Sequence, residues 1–151
     1  MKVLHILYQS LPNISGSSIR SRDILNNQLK VGIKPIVITS PFQNPKISGK
    51  SFEEIDGIKY YRTFSNNSEL VKEKESSFFI QIKKFFRIIS FSIKVYRVAK
   101  KEKIDVIHAH AMFFCAIAGK ITSIILNKPL IYEVRSLWEE RFKRTSFLNY
   151  L

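Results

Sequence analysis

The chain has 151 residues, of which 45% are hydrophobic and 25% charged, which fits one domain with a buried core and argues against long-range disorder. Its single cysteine, Cys115, excludes an internal disulfide and favours a reducing, cytoplasmic setting. The formal net charge of +13 makes anionic partners such as phosphate groups or a membrane surface worth testing.

The chain begins with a short apolar segment that has the features of a strand. Residues 3–8 lack a small-residue cleavage site, so a signal peptide is not predicted. We predict the first strand at residues 2–8, with His5 as a core or sheet histidine. Residues 18–31 have helical spacing, and Gly32 is placed to end that helix.

Strand-length and helix-length segments alternate through the rest of the chain. The predicted strands are residues 35–39, 58–62, 104–108 and 130–134, and the predicted helices are residues 78–101 and 111–126. Asp56-Gly57 indicates a hairpin turn, and residues 41–50 and 66–77 are predicted connections. This alternation is typical of βαβ units, so we expect one α/β domain over residues 1–151, a Rossmann-like parallel sheet flanked by helices.

Neither long apolar segment is expected to span a membrane. Residues 78–99 contain five Lys or Arg side chains, each costing about 2.5–3.5 kcal/mol at the centre of a bilayer. Residues 111–126 are shorter than the ~20 residues that a crossing needs.

Ligands of such folds bind beyond the carboxyl ends of the strands, where three segments of this chain meet. These segments are the loop at residues 11–18, the stretch from His108 to His110, and residues 133–140. We therefore expect the functional site at that edge of the sheet.

Four segments in order resemble the N-terminal domain of family-4 glycosyltransferases of the GT-B fold. They are MKVLHILYQSLPNISGSSIRSRDILNNQLKVGIKPIVITSP, EEIDGIKYYRT, DVIHAHAMFFCAIAGK and NKPLIYEVRSLWEE. The resemblance implies transfer of a sugar from a nucleotide-sugar donor with retention of configuration, in a cleft between two Rossmann-like domains. It also implies that this domain holds a sugar or lipid-linked acceptor and binds no cofactor by itself.

The resemblance further implies that a C-terminal domain, absent from this chain, holds the donor. The fragment alone is then expected to be inactive, and the setting implied is bacterial polysaccharide or glycolipid assembly. A non-catalytic or split-chain domain that needs a partner chain is the alternative. Two positions depart from the family: one glycine, Gly16, stands where a pair is common, and Arg135-Ser136 replaces a common His-Asp pair.

The first loop is a candidate for binding an anion. Gly16 and Ser17 open a helix, where free N–H groups and the helix dipole suit a phosphate. A capped helix start without a ligand is the alternative. Arg20 and Arg22 lie in the first turn, an unfavourable place for cations unless an anion is nearby.

His108 and His110 are two residues apart at a strand end, so they project to the same side. They are predicted to hydrogen-bond a substrate, His110 foremost because it is predicted to lie further into the loop, or to cap the next helix. A metal site is not predicted, because no further ligands stand near them in the sequence.

Ionisable and aromatic residues follow the last strand. Glu133, Arg135 and Trp138 are predicted to bind substrate, with Arg135 as a clamp for phosphate or a leaving diphosphate. The catalytic residues are unassigned, and the candidates are Arg135, Glu133 and His110. The alternative is a structural Glu133–Arg135 ion pair with Trp138 in the core.

A basic stripe follows the long helix. With an apolar surface beside it, such a helix could lie on an anionic bilayer at the inner face of the cell membrane, or it could be an ordinary solvated face. The residues predicted to contact the membrane are Lys83, Lys84, Arg87, Lys94, Arg97 and Lys101. Nucleic-acid binding is the third functional hypothesis, after the glycosyltransferase and the non-catalytic or split-chain domain, since no recognition motif accompanies the positive charge.

Overall fold

The computed structural model describes residues 1–43, 50–63 and 77–135, with the backbone alone for residues 77–84. These residues form an α/β domain, as predicted. Its elements are β1 (Lys2–Leu7), α1 (Gly16–Lys30), β2 (Lys34–Thr39), β3 (Phe52–Ile55), β4 (Ile58–Arg62), α2 (Ser77–Glu102), β5 (Val106–His110), α3 (Phe113–Leu126) and β6 (Leu130–Glu133).

The strands form one sheet in the order β3-β4-β2-β1-β5-β6. Every neighbouring pair is parallel except β3 and β4, which form an antiparallel hairpin. Asp56 and Gly57 form the predicted turn, both with positive φ, as a two-residue hairpin requires. Strand β3 was not predicted, because its sequence, Phe-Glu-Glu-Ile, lacks the apolar run of a buried strand. The sheet is therefore mixed at one edge.

The helices cover both faces of the sheet. On one face, α2 and α3 pack on the apolar side chains of the central strands, and Phe91, Val95 and Cys115 lie in this larger core. On the other face, α1 packs through Leu25 and Leu29 in a smaller core. No helix in the described ranges is long and apolar enough to cross a membrane.

Each helix ends with a residue in the left-handed region: Gly32 after α1, Lys103 after α2 and Asn127 after α3. Gly32 confirms the predicted stop, because glycine adopts this conformation without a Cβ clash. After α2, the Ile104 N–H donates to the Ala99 carbonyl, and the Ile104 side chain is buried beside the helix end. The prediction that the fourth predicted strand begins at Ile104 is therefore wrong, and the corresponding strand, β5, begins at Val106.

Helix α3 lies very close to the sheet at Gly119. A Cβ at this position would lie 3.0 Å from Leu130 Cδ1 and 3.3 Å from Ile6 Cδ1. The absence of a side chain at Gly119 therefore sets how closely α3 packs on β1 and β6.

Candidate functional site

A cavity of about 330 Å³ lies at the carboxyl ends of β1 and β5, beside the start of α1. This is the edge of the sheet where the sequence predicted a ligand site. Its polar lining residues are Tyr8, Gln9, Ser17, Ser21, His110 and Arg135.

The start of α1 is held by its own chain. Ser15 is the N-cap, its hydroxyl accepts from the Ser18 N–H, and the Ser18 hydroxyl accepts from the Ser15 N–H. The capped helix start that the sequence allowed is confirmed. Gly16 and Ser17 form the first turn, where backbone N–H groups have no acceptor within the helix.

Glu133, at the end of β6, is the centre of a charged cluster. Its Oε1 lies 2.8 Å from Arg20 Nη2 and 3.2 Å from Arg135 Nε, and its Oε2 lies 2.7 Å from His110 Nδ1. The anion that the position of Arg20 required is thus a carboxylate of the same chain. The predicted Glu133–Arg135 ion pair is present, and Arg135 lines the cavity. Arg22 pairs instead with the adjacent Asp23, on the surface.

Arg135 joins the end of the sheet to α1. Its Nη1 donates to the Ser17 carbonyl at 3.0 Å, and its Nη2 lies 3.1 Å from Ser21 Oγ and 2.7 Å from His110 Nδ1. The side chain is only 11% exposed. The guanidinium is therefore fixed in place as one wall of the cavity.

All three histidines of the chain meet on the α1 face of the sheet. His5 pairs with His108 in the register of β1 and β5, and His110 follows two residues later on the same face. The rings of His108 and His110 are 3.9 Å apart, so the predicted projection to one side is confirmed. His110 lies in the strand and is buried, not in a loop as predicted, because β5 runs two residues further than expected.

His5 is a core histidine, as predicted, and both of its ring nitrogens have hydrogen-bond partners. Its Nδ1 lies 2.9 Å from His110 Nε2, and its Nε2 lies 2.8 Å from Gln28 Oε1 on α1. The expectation that no third ligand stands near His108 and His110 is wrong. One ring nitrogen from each of His5, His108 and His110 lies within 4.8 Å of the others, so the cluster could hold a metal ion.

Burial keeps these imidazoles neutral. It lowers the pKa of His5 to about 3, although the hydrogen bond to the Gln28 side-chain oxygen acts in the opposite direction. Burial also lowers the pKa of His110, and the neighbouring histidines and arginines lower it further. The pKa of His108 is lowered by burial, against the attraction of Glu133. The three rings therefore act near pH 7 as neutral hydrogen-bonding groups.

The basic residues of α2 lie beside exposed apolar ones. Lys94, Arg97 and Lys101 are exposed, whereas Arg87 is half-buried with its guanidinium 6.0 Å from the Phe42 ring. The side chains of Lys83 and Lys84 lie outside the described residues, as does Trp138. The large apolar side chains exposed on the same helix are Phe85, Phe86, Ile89 and Ile93.

Five polar residues of the site were not predicted: Tyr8, Gln9, Ser21, His5 as a partner of His110, and Gln28. Ser21 is buried and Gln28 is half-buried along α1, which gives only a weak signal, since polar residues inside a helix usually face solvent. Their contacts depend on which strands lie beneath α1, and the sequence of α1 does not carry that information.

Comparison with known proteins gives a family and a fold. The model of Glycosyltransferase Family 4 matches residues 14–151. Among curated proteins, none matches the chain significantly.

Solved structures with a similar fold come from proteins of different kinds, and a hydrogenase domain from Pyrococcus furiosus is among them, with a TM-score of 0.51 and 11% identity over 87% of this chain and 90% of that one. CalG4, the calicheamicin glycosyltransferase, has a TM-score of 0.56 and 13% identity, and the match covers 95% of this chain and 37% of that one. MurG from Acinetobacter baumannii has a TM-score of 0.54 and 14% identity over 87% of this chain and 35% of that one. UDP-GlcNAc 2-epimerase from Methanocaldococcus jannaschii has a TM-score of 0.50 and 16% identity over 87% of this chain and 31% of that one.

These identities show a shared fold and no more. The chain spans about a third of the length of CalG4, MurG and the epimerase. Transferases, an epimerase and a hydrogenase domain share the fold, so the fold alone does not select the reaction.

Proposed function

The chain belongs to glycosyltransferase family 4, and we propose that it forms the acceptor-binding half of a retaining glycosyltransferase that uses a nucleotide-sugar donor. In this proposal a second domain holds the donor across a cleft from the carboxyl edge of the sheet. That domain either continues the same polypeptide or is a separate partner chain. The proposed setting is the assembly of a bacterial polysaccharide or glycolipid.

The observation that carries the proposal is the cavity at this edge, whose lining combines apolar and polar residues. Its volume of about 330 Å³ is in the range of small-ligand sites. Three hydroxyl-bearing residues, Tyr8, Ser17 and Ser21, line it together with Arg135. Hydroxyl groups both donate and accept hydrogen bonds, which is the chemistry that sugar hydroxyls require.

Within this proposal, Arg135 has an electrostatic role. Arginine stays protonated at all physiological pH values, so it cannot exchange a proton with the sugar. It can stabilise negative charge that develops on a phosphate or a leaving diphosphate. Glu133 orients Arg20 and Arg135 through the contacts at 2.8 and 3.2 Å.

The proposal is tested on the full enzyme, with the donor domain in place, against a panel of nucleotide sugars. The variant Tyr8→Phe removes the hydroxyl of one lining residue and keeps the ring that packs against Phe114. We expect the KM for the acceptor to rise about 2-fold to 10-fold, the value of one hydrogen bond, with the KM for the donor unchanged. Tyr96→Phe on α2 is the matched control and is expected to change neither KM.

Three outcomes contradict the proposal. A change in the donor KM alone in Tyr8→Phe would place the donor, not the acceptor, at this edge. Inversion of the anomeric configuration in the product, followed by NMR, would exclude a retaining enzyme. Absence of transfer from every nucleotide sugar would exclude this donor class.

We further propose that α2 docks on an anionic membrane surface. Phe85 and Phe86 are 62% and 64% exposed, and the cationic residues Lys94, Arg97 and Lys101 lie on the same helix. Exposed aromatic side chains beside lysine and arginine are the combination that interfacial helices use, and each cation contributes about 1 kcal/mol near an anionic surface.

Vesicle co-sedimentation tests this surface with phosphatidylserine vesicles and with phosphatidylcholine vesicles. Arg97→Gln is expected to weaken binding to the anionic vesicles about fivefold, which corresponds to one lost charge. Phe86→Ser is expected to weaken it further, whereas Ile124→Ser, an exposed residue of α3, serves as the control. Equal binding to both vesicle types, or none, would overturn the docking proposal. Salt-dependent binding to an oligonucleotide without vesicle binding would support the nucleic-acid alternative.

A further inference from the structure

We propose that His5, His108 and His110 form a binding site for one divalent transition-metal ion of the zinc type. The chain contains three histidines, and all of them lie in this cluster. Imidazole nitrogen is a preferred ligand of Zn²⁺, and three histidines with one open position make a complete protein ligand set. The inference does not depend on the proposed transferase function.

The spacing of two of the ring nitrogens is close to that of a tetrahedral site. His5 Nδ1 and His110 Nε2 are 2.9 Å apart. With Zn–N bonds of about 2.0–2.1 Å, two nitrogens of a tetrahedral site are separated by about 3.3 Å. These two rings therefore need to separate by only a few tenths of an ångström to accept the ion between them.

His108 supplies the third ligand. It lies opposite His5 in the parallel register of β1 and β5, and a ring nitrogen of His108 is within 4.8 Å of the other two ligand atoms. Its side chain is 15% exposed, which gives the ion a path from solvent. Strands β1 and β5 thus place all three rings on one rigid surface.

The outer contacts of the rings favour the metal-bound form. When His5 Nδ1 and His110 Nε2 bind an ion, the other nitrogen of each ring carries a hydrogen. His5 Nε2 then donates to Gln28 Oε1 at 2.8 Å, and His110 Nδ1 donates to Glu133 Oε2 at 2.7 Å. Metal-bound histidines characteristically donate their second N–H to a carboxylate or amide oxygen, which orients the ring.

Arg135 opposes the metal-bound form. Its Nη2 lies 2.7 Å from His110 Nδ1, and a ring nitrogen cannot both accept from Arg135 and donate to Glu133. An ion bound at His110 Nε2 directs Nδ1–H toward Glu133 and forces the guanidinium away from the ring. Metal binding and the present position of Arg135 therefore exclude each other.

The test uses the untagged chain, so that no added histidines bind metal. Co²⁺ is titrated and followed by its visible absorption, and Zn²⁺ is then added in competition. We expect saturation at one ion per chain and displacement of Co²⁺ by Zn²⁺. His108→Ala removes a ligand outside the hydrogen-bonded pair of His5 and His110, and it should abolish this saturable binding while the circular dichroism spectrum is retained.

Two further variants are expected to change the affinity for the metal ion in opposite directions. Gln28→Met removes the acceptor for His5 and should weaken binding roughly 10-fold to 100-fold. Arg135→Gln removes the competing donor and a repelling charge, so it should tighten binding. Glu54→Gln, on the exposed strand β3, is the control and should change nothing. Absence of saturable Co²⁺ or Zn²⁺ binding, unchanged binding in His108→Ala, or unchanged binding in Gln28→Met would each overturn the proposal.

Discussion

Replacing Arg135 by lysine keeps its charge and removes its planar, five-donor geometry. The guanidinium contacts Ser17, Ser21, His110 and Glu133 at once, between 2.7 and 3.2 Å. A lysine ammonium is a single point and cannot reach all four groups. Hydrogen bonds that involve a charged group contribute about 1.5–3 kcal/mol when buried, and this side chain is 11% exposed.

We therefore expect Arg135→Lys to lower the free energy of unfolding by about 2 kcal/mol, after the contacts that lysine keeps are allowed for. For a chain of this length the melting temperature would fall by roughly 4–8 °C. Urea denaturation followed by circular dichroism measures the change.

Arg22→Lys is the matched control, because Arg22 lies on α1, the helix that Arg135 contacts, and its guanidinium forms an ion pair with the exposed Asp23. An exposed pair of this kind contributes about 0–1 kcal/mol. Equal losses in the two variants, or no loss in Arg135→Lys, would refute the role of Arg135 as the connection between α1 and β6.

The remaining predictions concern other parts of the same fold. Ser15→Ala removes the N-cap of α1 and should lower the free energy of unfolding, measured by urea denaturation, by about 1 kcal/mol. Ser90→Ala, at an exposed position of α2, is the control and should not lower it. Because the folded state lowers the pKa of His5 and His110 below the ordinary 6.5, the unfolded chain binds more protons below that pH. Stability should then fall as the pH drops from 6.5 toward 5, by up to about 1.4 kcal/mol per pH unit for each ring, and a flat profile would contradict their burial. Gly119→Val should destabilise the protein by about 1–3 kcal/mol through overpacking against Leu130 and Ile6, so wild-type stability in this variant would show that α3 can move away from the sheet.

Features that depend on a few adjacent residues could be predicted from the sequence. Asp56-Gly57 gives a hairpin turn wherever it lies between strands, and Gly32 ends a helix for a reason local to its own backbone. The sequence likewise predicted an anion near Arg20 from an expected place in the first helical turn, although Arg20 lies in the second turn because α1 begins at Gly16. The class of that partner could be predicted and its identity could not, because Glu133 is more than a hundred residues away.

Features that depend on strand order could not be predicted. His5 meets His108 and His110 because β1 lies between β2 and β5 in the sheet. An apolar run gives a strand without naming its neighbours, so His5 was predicted as a core residue and its partners were not. The start of β5 was misplaced for a different reason, since buried Ile104 has the sequence appearance of a strand residue and in fact covers the end of α2.

The contact between Arg135 and Ser17 also governs the order in which the protein can mature on the ribosome. These residues are 118 positions apart. Five of the six strands are complete at residue 110, before the segment that carries Glu133 and Arg135 has been synthesised. Domains generally fold as units, so the strands that are made first do not yet form a folded domain. The nascent chain acquires a finished cavity only when the segment around residue 135 returns to the loop that was made first.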